Sequence, residues 1–329
     1  MYISLLMGKR GFLRREASPK EVLEHCLRLA REVAPPTPKG KRGRPWRYSH
    51  ALYLALLLFR AFFHLTYRET EASLQDLMEG PFPSHQSLAR YALKHLDPKL
   101  LEALLERLSR ELEAHLAPES SPEGEAASDE APAHLAALSP PLPHGHHGAG
   151  LPEQGPASPL SSGKEVRRVR GHARLLALMR WDRERRLLWP WGGVVGEGYA
   201  PDPRLGGEVL RRFPPSRGWL LADAGFDGKE VWGVLGEAGV RPVIRLRGGG
   251  EARDEARVRA REGWDPEVYR FRGVVEGVFG GMKTRLGGGY LWERKPWTAM
   301  ARALLELIAY GLRVLLSLLP PPPGYKAIY

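Results

Sequence analysis

The sequence predicts an α/β protein, in which a mixed sheet flanked by helices follows an all-helical N-terminal region. Two observations predict this fold class. Up to about residue 116, apolar residues recur at helical spacing between Gly and Pro breaks. From about residue 164, strand-like apolar runs alternate with amphipathic helical patterns. Because 43% of the 329 residues are hydrophobic, the chain can bury a sizeable core.

Charge and composition narrow the classes of function. The formal net charge of +11 and the pI of about 9.8 favour a polyanionic partner such as nucleic acid, although a generally basic proteome would give the same surplus. The single cysteine, Cys26, excludes disulfides within the chain and zinc sites built on cysteines. The most apolar run, residues 51–65, is short for a bilayer and contains Arg60 and His64. We therefore expect a buried helix, no membrane association and a cytoplasmic protein.

The N-terminal region divides into a basic arm and a helical part. Residues 1–48 hold one predicted helix and a linker in which five of the nine residues from Lys39 to Arg47 are Lys or Arg. This linker can lie along the phosphates of a nucleic acid, or it can be a solvated linker that binds nothing. Residues 49–116 predict short helices around a Gly/Pro turn, with Ser84 as an N-cap. That pattern is compatible with a DNA reader of the helix-turn-helix type, and equally with a bundle that binds no DNA. The helices predicted up to residue 116 are Pro19–Val33, Ala51–Leu65, Arg68–Met78, His85–Leu96 and Pro98–Leu116.

Residues 117–163 differ abruptly from the rest of the chain. They contain no Lys, Arg, Val, Ile or aromatic residue, and nine of the 47 are proline. Their six acids give this segment a charge of −6, which leaves +17 on the remainder. We expect no strand or helix of any length here, because the composition is typical of disorder.

Residues 164–320 predict the sheet and its helices, and residues 321–329 are a tail. A hairpin comes first, and helices and strands then alternate. The predicted strands are Glu165–Trp181, Leu187–Tyr199, Gly218–Phe226 and Val240–Gly248. The predicted helices cover residues 202–213, 228–239 and 269–283, and Trp297–Leu319, with a charged loop or frayed helix over 248–263.

The stretch YRFRGVVEGVFGGMK, residues 269–283, places functional residue types on one helical face. At about 100° per residue, Tyr269, Arg272, Glu276 and Lys283 fall in one stripe about 60° wide, and the apolar residues fall on another face. A carboxylate among cations fits phosphoryl transfer, in which carboxylates hold metal ions and cations bind phosphate oxygens. It also fits a surface ion pair. Asp223, at the end of a buried strand, is a candidate second carboxylate or a turn or N-cap aspartate.

The spacing Tyr269-x2-Arg272-x3-Glu276-x6-Lys283 resembles the Y-R-E-K motif of DDE insertion-sequence transposases of the insertion-sequence-four type. The block LLADAGFDG around Asp223 resembles the one that carries their second aspartate. The hairpin resembles the segment between their first and second aspartates, and residues 42–96 resemble the helical N-terminus of insertion-sequence-five-like proteins. The resemblance covers most of the chain outside 117–163.

This resemblance implies an RNase H-like fold and an Asp-Asp-Glu triad that binds two Mg²⁺ or Mn²⁺ ions for cleavage and transfer of DNA strands. It makes Asp223 the second aspartate and Glu276 the glutamate, both catalytic and metal-binding. It also makes Tyr269, Arg272 and Lys283 contacts to transposon-end DNA. The implied partners are double-stranded DNA, as terminal repeats and target, and a second copy of the chain in a homodimer.

The first aspartate of the triad is missing from the pattern. It should end a hydrophobic strand before about residue 164, where the sequence offers only Asp129, in acidic, small-residue surroundings. Asp182 and Asp202 lie in or after the hairpin, whereas the first aspartate should precede it, so we interpret both as turn residues. We hypothesise that residues 117–163 are read in a shifted frame; a true disordered insertion is the alternative.

Three functions stay open from the sequence: a transposase, an inactive remnant that still binds transposon ends, and a metal nuclease that cuts DNA without joining it. A usable first aspartate would discriminate the first two.

Overall fold

The structure, a computed structural model, describes residues 17–37, 46–116, 133–138, 142–143, 172–183, 185–197, 200–215, 218–237, 240–247, 255–285, 291, 293 and 295–320. Within these residues the chain folds as a mixed α/β protein with many helices and one small sheet. The predicted combination of an N-terminal helical region with a later mixed sheet is confirmed.

The N-terminal helices begin and end within three residues of the predicted bounds. Their starts follow from side chains that accept hydrogen bonds from free backbone N–H groups. Ser84 is an N-cap as predicted, with its Oγ 3.3 Å from the Ser87 nitrogen. Thr66 and Glu69 cap each other's backbone in a reciprocal capping box. These helices are α1 (Pro19–Val33), α2 (His50–Phe62), α3 (Tyr67–Leu77), α4 (His85–Lys94) and α5 (Pro98–Leu116).

One six-stranded sheet organises the second half of the chain. The strands are β1 (Ala133–Leu138), β2 (Leu142–Pro143), β3 (His172–Asp182), β4 (Leu187–Glu197), β5 (Trp219–Ala222) and β6 (Arg241–Ile244). The predicted hairpin is β3 with β4, which pair antiparallel along their whole length. On its other side β3 pairs antiparallel with β1, and with β2 at its start. From β1 onward the sheet is parallel, through β5 to β6.

The strand β1 corrects an expectation from the sequence. We expected no strand within residues 117–163, yet β1 and the short β2 lie there, and the other residues of that segment lie outside the described ones. The segment Ala-His-Leu-Ala-Ala-Leu has little β preference of its own. It becomes a strand because β3 and β5 each offer it an unpaired edge, which an isolated segment does not have.

The helices of the second half are α6 (Asp202–Arg212), α7 (Lys229–Glu237), α8 (Glu255–Glu262), α9 (Pro266–Tyr269), α10 (Glu276–Arg285) and α11 (Pro296–Leu318). A second correction concerns residues 269–283, which do not form one continuous helix. A 3-10 segment, Arg270–Val275, separates α9 from α10. The constant advance of 100° per residue therefore fails across this break. The apolar face predicted for residues 269–283 is nevertheless present, since Val275, Val278 and Met282 are all buried.

The long helix α11 joins the two halves of the molecule. It packs against α2 and α5 on one side and against β3 and β4 on the other. Two ion pairs are buried in this region: Arg60 of α2 with Glu293 at 3.0 Å, and Arg302 with Glu306, both in α11, at 2.8 Å. The N-terminal helices therefore share one core with the sheet.

Within the described residues no single helix combines the length and the apolar composition that a membrane span requires; α2 and α3 meet the requirement only as a pair bent by 108°.

Candidate functional site

Asp223 lies immediately after the buried strand β5, at the carboxyl end that faces away from the hairpin turn. Its Oδ1 accepts a hydrogen bond from the Gly225 backbone N–H at 2.8 Å and so caps the 3-10 turn Ala224–Phe226. Its side chain is 43% exposed. The N-cap role that we left open for this aspartate is thus real, and it leaves Oδ2 directed toward a partner.

That partner is Arg272, which brings the two predicted carboxylates together. Arg272 Nη2 donates to Asp223 Oδ2 at 3.2 Å, and Nη1 donates to Glu276 Oε1 at 2.7 Å. The contact to Glu276 is an i to i+4 pair that persists across the junction between the 3-10 segment and α10. Three of the five predicted site residues therefore meet, with one guanidinium between two carboxylates.

Of the other two predicted residues, Tyr269 is described with a different partner, and the side chain of Lys283 is not described. The ring of Tyr269 packs on that of Trp264, at 4.6 Å between centroids, and Trp264 is 39% exposed. Lys283 belongs to α10, and its side chain lies outside the described part of the chain. The roles of both residues as DNA contacts stay predictions.

A third carboxylate, Asp202, lies next to Asp223, although we had interpreted it as a turn residue. That interpretation is wrong, because Asp202 is the first residue of α6 and pairs with Arg174 of β3 at 2.8 Å. A Cβ at Gly225 would lie 2.7 Å from Asp202 Oδ2 and 2.8 Å from Asp223 Oδ1. The two carboxylates therefore approach each other at a glycine, where any side chain would push them apart. No local pattern in the sequence indicates this approach, which depends on the packing of α6 against the 3-10 turn Ala224–Phe226.

Asp227 and Arg247 support the turn that carries Asp223, and sequence reasoning missed both. Asp227 accepts from Arg257 at 2.8 and 3.0 Å, from Trp232 Nε1 at 2.9 Å and from the Arg247 backbone N–H at 2.7 Å. Burial by itself raises the pKa of Asp227, but these hydrogen bonds outweigh burial and hold the pKa below its usual value. Arg247 Nε in turn donates to the Ala224 carbonyl at 2.7 Å, beside Asp223. The sequence feature that could have indicated Asp227 is its position four residues after Asp223.

The residues present do not fit the two metal ions that the resemblance implies. Carboxylate oxygens are suitable ligands for Mg²⁺ and Mn²⁺, but Arg272 already contacts both Asp223 and Glu276. Within the described ranges, no group of three or more His, Cys, Asp or Glu residues could hold a metal ion. The strand β1, which is the parallel neighbour of β5, carries no carboxylate.

Comparison with known proteins gives one match. Residues 193–312 match the family model of the transposase DDE domain. The matched range begins inside β4, includes Asp223 and Glu276, and leaves β1 outside. No curated protein and no solved structure matches the chain. The match supports a DDE transposase.

Proposed function

We propose that this chain is a transposase that binds the ends of its mobile element as double-stranded DNA and cleaves and transfers its strands, with Asp223 and Glu276 as two acidic residues of the catalytic site. The observation that carries the proposal is the meeting of Asp223, Arg272 and Glu276 inside the range that matches the DDE domain. The antiparallel hairpin beside the parallel strands β1, β5 and β6 supports the RNase H-like assignment. A homodimer that pairs two ends and a cytoplasmic location belong to the same proposal.

The surface around this site favours a polyanion. Arg245 and Arg247 follow β6, Arg270 precedes Arg272, and all three are exposed. Arg247 is held beside the Asp223 turn by its hydrogen bond to the Ala224 carbonyl. Exposed arginines bind phosphate oxygens of a nucleic acid backbone. The net charge of +11 adds a long-range attraction to the same partner.

One observation favours the second candidate, a transposase remnant that binds DNA without cutting it. The strand β1 stands where the first aspartate is expected, and its sequence AHLAAL contains no acid. His134 of this strand is fully buried, and among the described residues neither ring nitrogen has a hydrogen-bond partner. A buried His without partners is a poor fit to the centre of a sheet. Both facts agree with a shifted reading frame over residues 117–163.

Two measurements on the purified full-length chain test these proposals. The first is the affinity for a labelled duplex of the element's end, in EDTA, at several salt concentrations. We expect binding that weakens steeply with salt, and Arg247→Gln should reduce the salt slope by about one. The control is Arg110→Gln, on α5 and paired with Glu106. If the affinity changes neither with salt concentration nor with Arg247→Gln, DNA is not the partner of this surface.

The second measurement is nicking of the same duplex in Mg²⁺ or Mn²⁺. The remnant predicts binding without cleavage, whereas robust nicking at the 3′ end shows an active DNA-cleaving enzyme and overturns the frame-shift hypothesis. Resequencing the DNA that encodes residues 110–170 and translating its three forward frames is a separate check. A neighbouring frame should contain a Val- and Ile-rich strand that ends in Asp.

A further inference from the structure

A cavity of about 680 Å³ lies where α2, α3 and α4 meet the first turns of α11. Its volume falls within the roughly 300–1,000 Å³ that is typical of small-molecule sites. Leu65, Ala89 and Leu93 supply apolar wall. None of its described lining belongs to the group around Asp223. The described charged side chains that line it are Arg60, Glu69, Glu293, Lys295 and Arg302.

The guanidinium of Arg302 is buried and incompletely hydrogen-bonded. Its Nε donates to Glu306 Oε1 at 2.8 Å, and its Nη2 lies 3.2 Å from His64 Nδ1. Its Nη1 has no hydrogen-bond partner among the described residues, although the side chain is only 4% exposed. Burial raises the pKa of Glu306 to about 7, so this carboxylate offsets the guanidinium only in part at neutral pH. An acceptor on a bound anion would satisfy the remaining donor and balance the charge.

The charges that line the cavity suit one negative charge on a ligand. Arg60 Nη1 pairs with Glu293 Oε1 at 3.0 Å, so these two side chains balance each other. Of the other described charges in the lining, Lys295 and Arg302 are positive and Glu69 is negative. The surplus is therefore one positive charge, which matches a carboxylate better than a phosphate monoester with its charge of about −2.

We propose that this cavity binds a small amphipathic carboxylate, whose head group pairs with Arg302 and whose apolar body packs on the wall formed by Leu65, Ala89 and Leu93. A planar guanidinium matches the geometry of a carboxylate. The wall favours a ligand with an apolar body, because an inorganic anion would leave that wall in contact with water. Lys295 is exposed and adds attraction at the mouth of the cavity. This inference goes beyond the proposed function and does not rest on it.

Such a ligand would join the two halves of the molecule. The cavity is lined by helices of the N-terminal region and by α11, which packs on the sheet. The same boundary is bridged by Trp297 of α11, whose Nε1 donates to the Leu93 carbonyl of α4 at 3.2 Å. A ligand that binds only the folded chain stabilises it by mass action. We therefore expect octanoate, used as a probe, to raise the melting temperature.

The test is isothermal titration calorimetry of the full-length, DNA-free protein with octanoate, and with 1-octanol as the uncharged analogue. Ala89→Phe fills the cavity without changing a charge. Lys295→Gln removes the cation at the mouth. Its matched control is Lys99→Gln, because Lys99 is an exposed lysine of α5 outside the described lining. Thermal melts check that the variants fold.

We expect one octanoate to bind per chain, at least about tenfold more tightly than 1-octanol, because the carboxylate makes charge-assisted hydrogen bonds. Lys295→Gln should weaken octanoate binding by about two- to fivefold relative to Lys99→Gln, and Ala89→Phe should abolish it. Absence of octanoate binding, equal affinity for 1-octanol, or unchanged binding in a folded Ala89→Phe variant would each overturn the proposal. Equal affinities in Lys295→Gln and Lys99→Gln would overturn it as well, and this comparison does not depend on the folding of Ala89→Phe.

Discussion

Leu135 of β1 pairs with Leu221 of β5, two residues before Asp223. His134 pairs with Leu220 in the same parallel ladder, and this register, if carried two residues further, would bring Ala137 level with Asp223. Residues level with each other on neighbouring parallel strands occupy the same face of a sheet. The backbone for a first carboxylate is therefore present, and an alanine occupies the position.

Ala137→Asp should create the missing ligand. We expect Mn²⁺ to bind at least about tenfold more tightly, because a third carboxylate joins Asp223 and Glu276. The measurement is a titration of the full-length, DNA-free protein with Mn²⁺, in which the electron paramagnetic resonance signal of free Mn²⁺ reports binding. Ala137→Asn, of equal size and without charge, is the control. Identical Mn²⁺ affinity in the two variants would show that a carboxylate at position 137 adds no metal ligand.

His134→Val should stabilise the protein by about 1–2 kcal/mol at neutral pH. It removes two buried ring nitrogens that lack partners and supplies a β-branched side chain to a central strand. Urea unfolding measures the change. A loss of stability in the variant would mean that the imidazole contributes through its packing on Trp191, at 5.6 Å between centroids.

The same residue predicts a pH dependence. Burial, with a smaller contribution from Arg180, lowers the pKa of His134 from 6.5 to about 3. The imidazole of His134 therefore binds a proton in the unfolded chain at a pH at which it stays neutral in the folded chain. The contribution to stability is present above about pH 6.5 and is lost as the pH falls toward 3. Urea unfolding from pH 7 to pH 4 should show less acid destabilisation in His134→Val than in the parent. Equal slopes would contradict the lowered pKa.

We expect Glu306 to give the opposite dependence of stability on pH. Burial raises its pKa to about 7, against the opposing effect of Arg302. Here the folded chain holds a proton that the unfolded chain releases, so the contribution to stability is full below about pH 4.5 and is lost as the pH rises through 7. Between pH 5 and 8 the parent should lose up to about 3 kcal/mol relative to Glu306→Gln. Parallel stability curves over that range would refute the prediction.

Arg60→Met should destabilise the fold by about 3 kcal/mol or more. It leaves Glu293, a buried carboxylate, without its cation and removes the guanidinium that lies 4.0 Å from the Tyr67 ring centroid. Adding Glu293→Gln should recover part of this loss, since the uncompensated charge disappears. Urea unfolding of the two single variants and the double variant completes a double-mutant cycle. Additive losses would show that the two side chains do not interact.

Local sequence pattern was sufficient for the N-terminal helices and for the hairpin. The bounds of α1 and α5 and the cap at Ser84 agree with the prediction. These features depend on residues a few positions apart, whose spacing and capping chemistry are written in the sequence. The match to the transposase DDE domain agrees with the family that the Asp223 and Glu276 blocks resemble.

Tertiary structure decided the rest of the site. The strand β1 exists because β3 and β5 offer it hydrogen-bonding edges, and no property of AHLAAL indicates this. The guanidinium of Arg272 bridges carboxylates that are 53 positions apart in the sequence, and Asp202 reaches Asp223 through the packing of α6. Such contacts depend on the distance between elements after folding. The sequence by itself determined which residues could carry the chemistry, and the fold determined which of them meet.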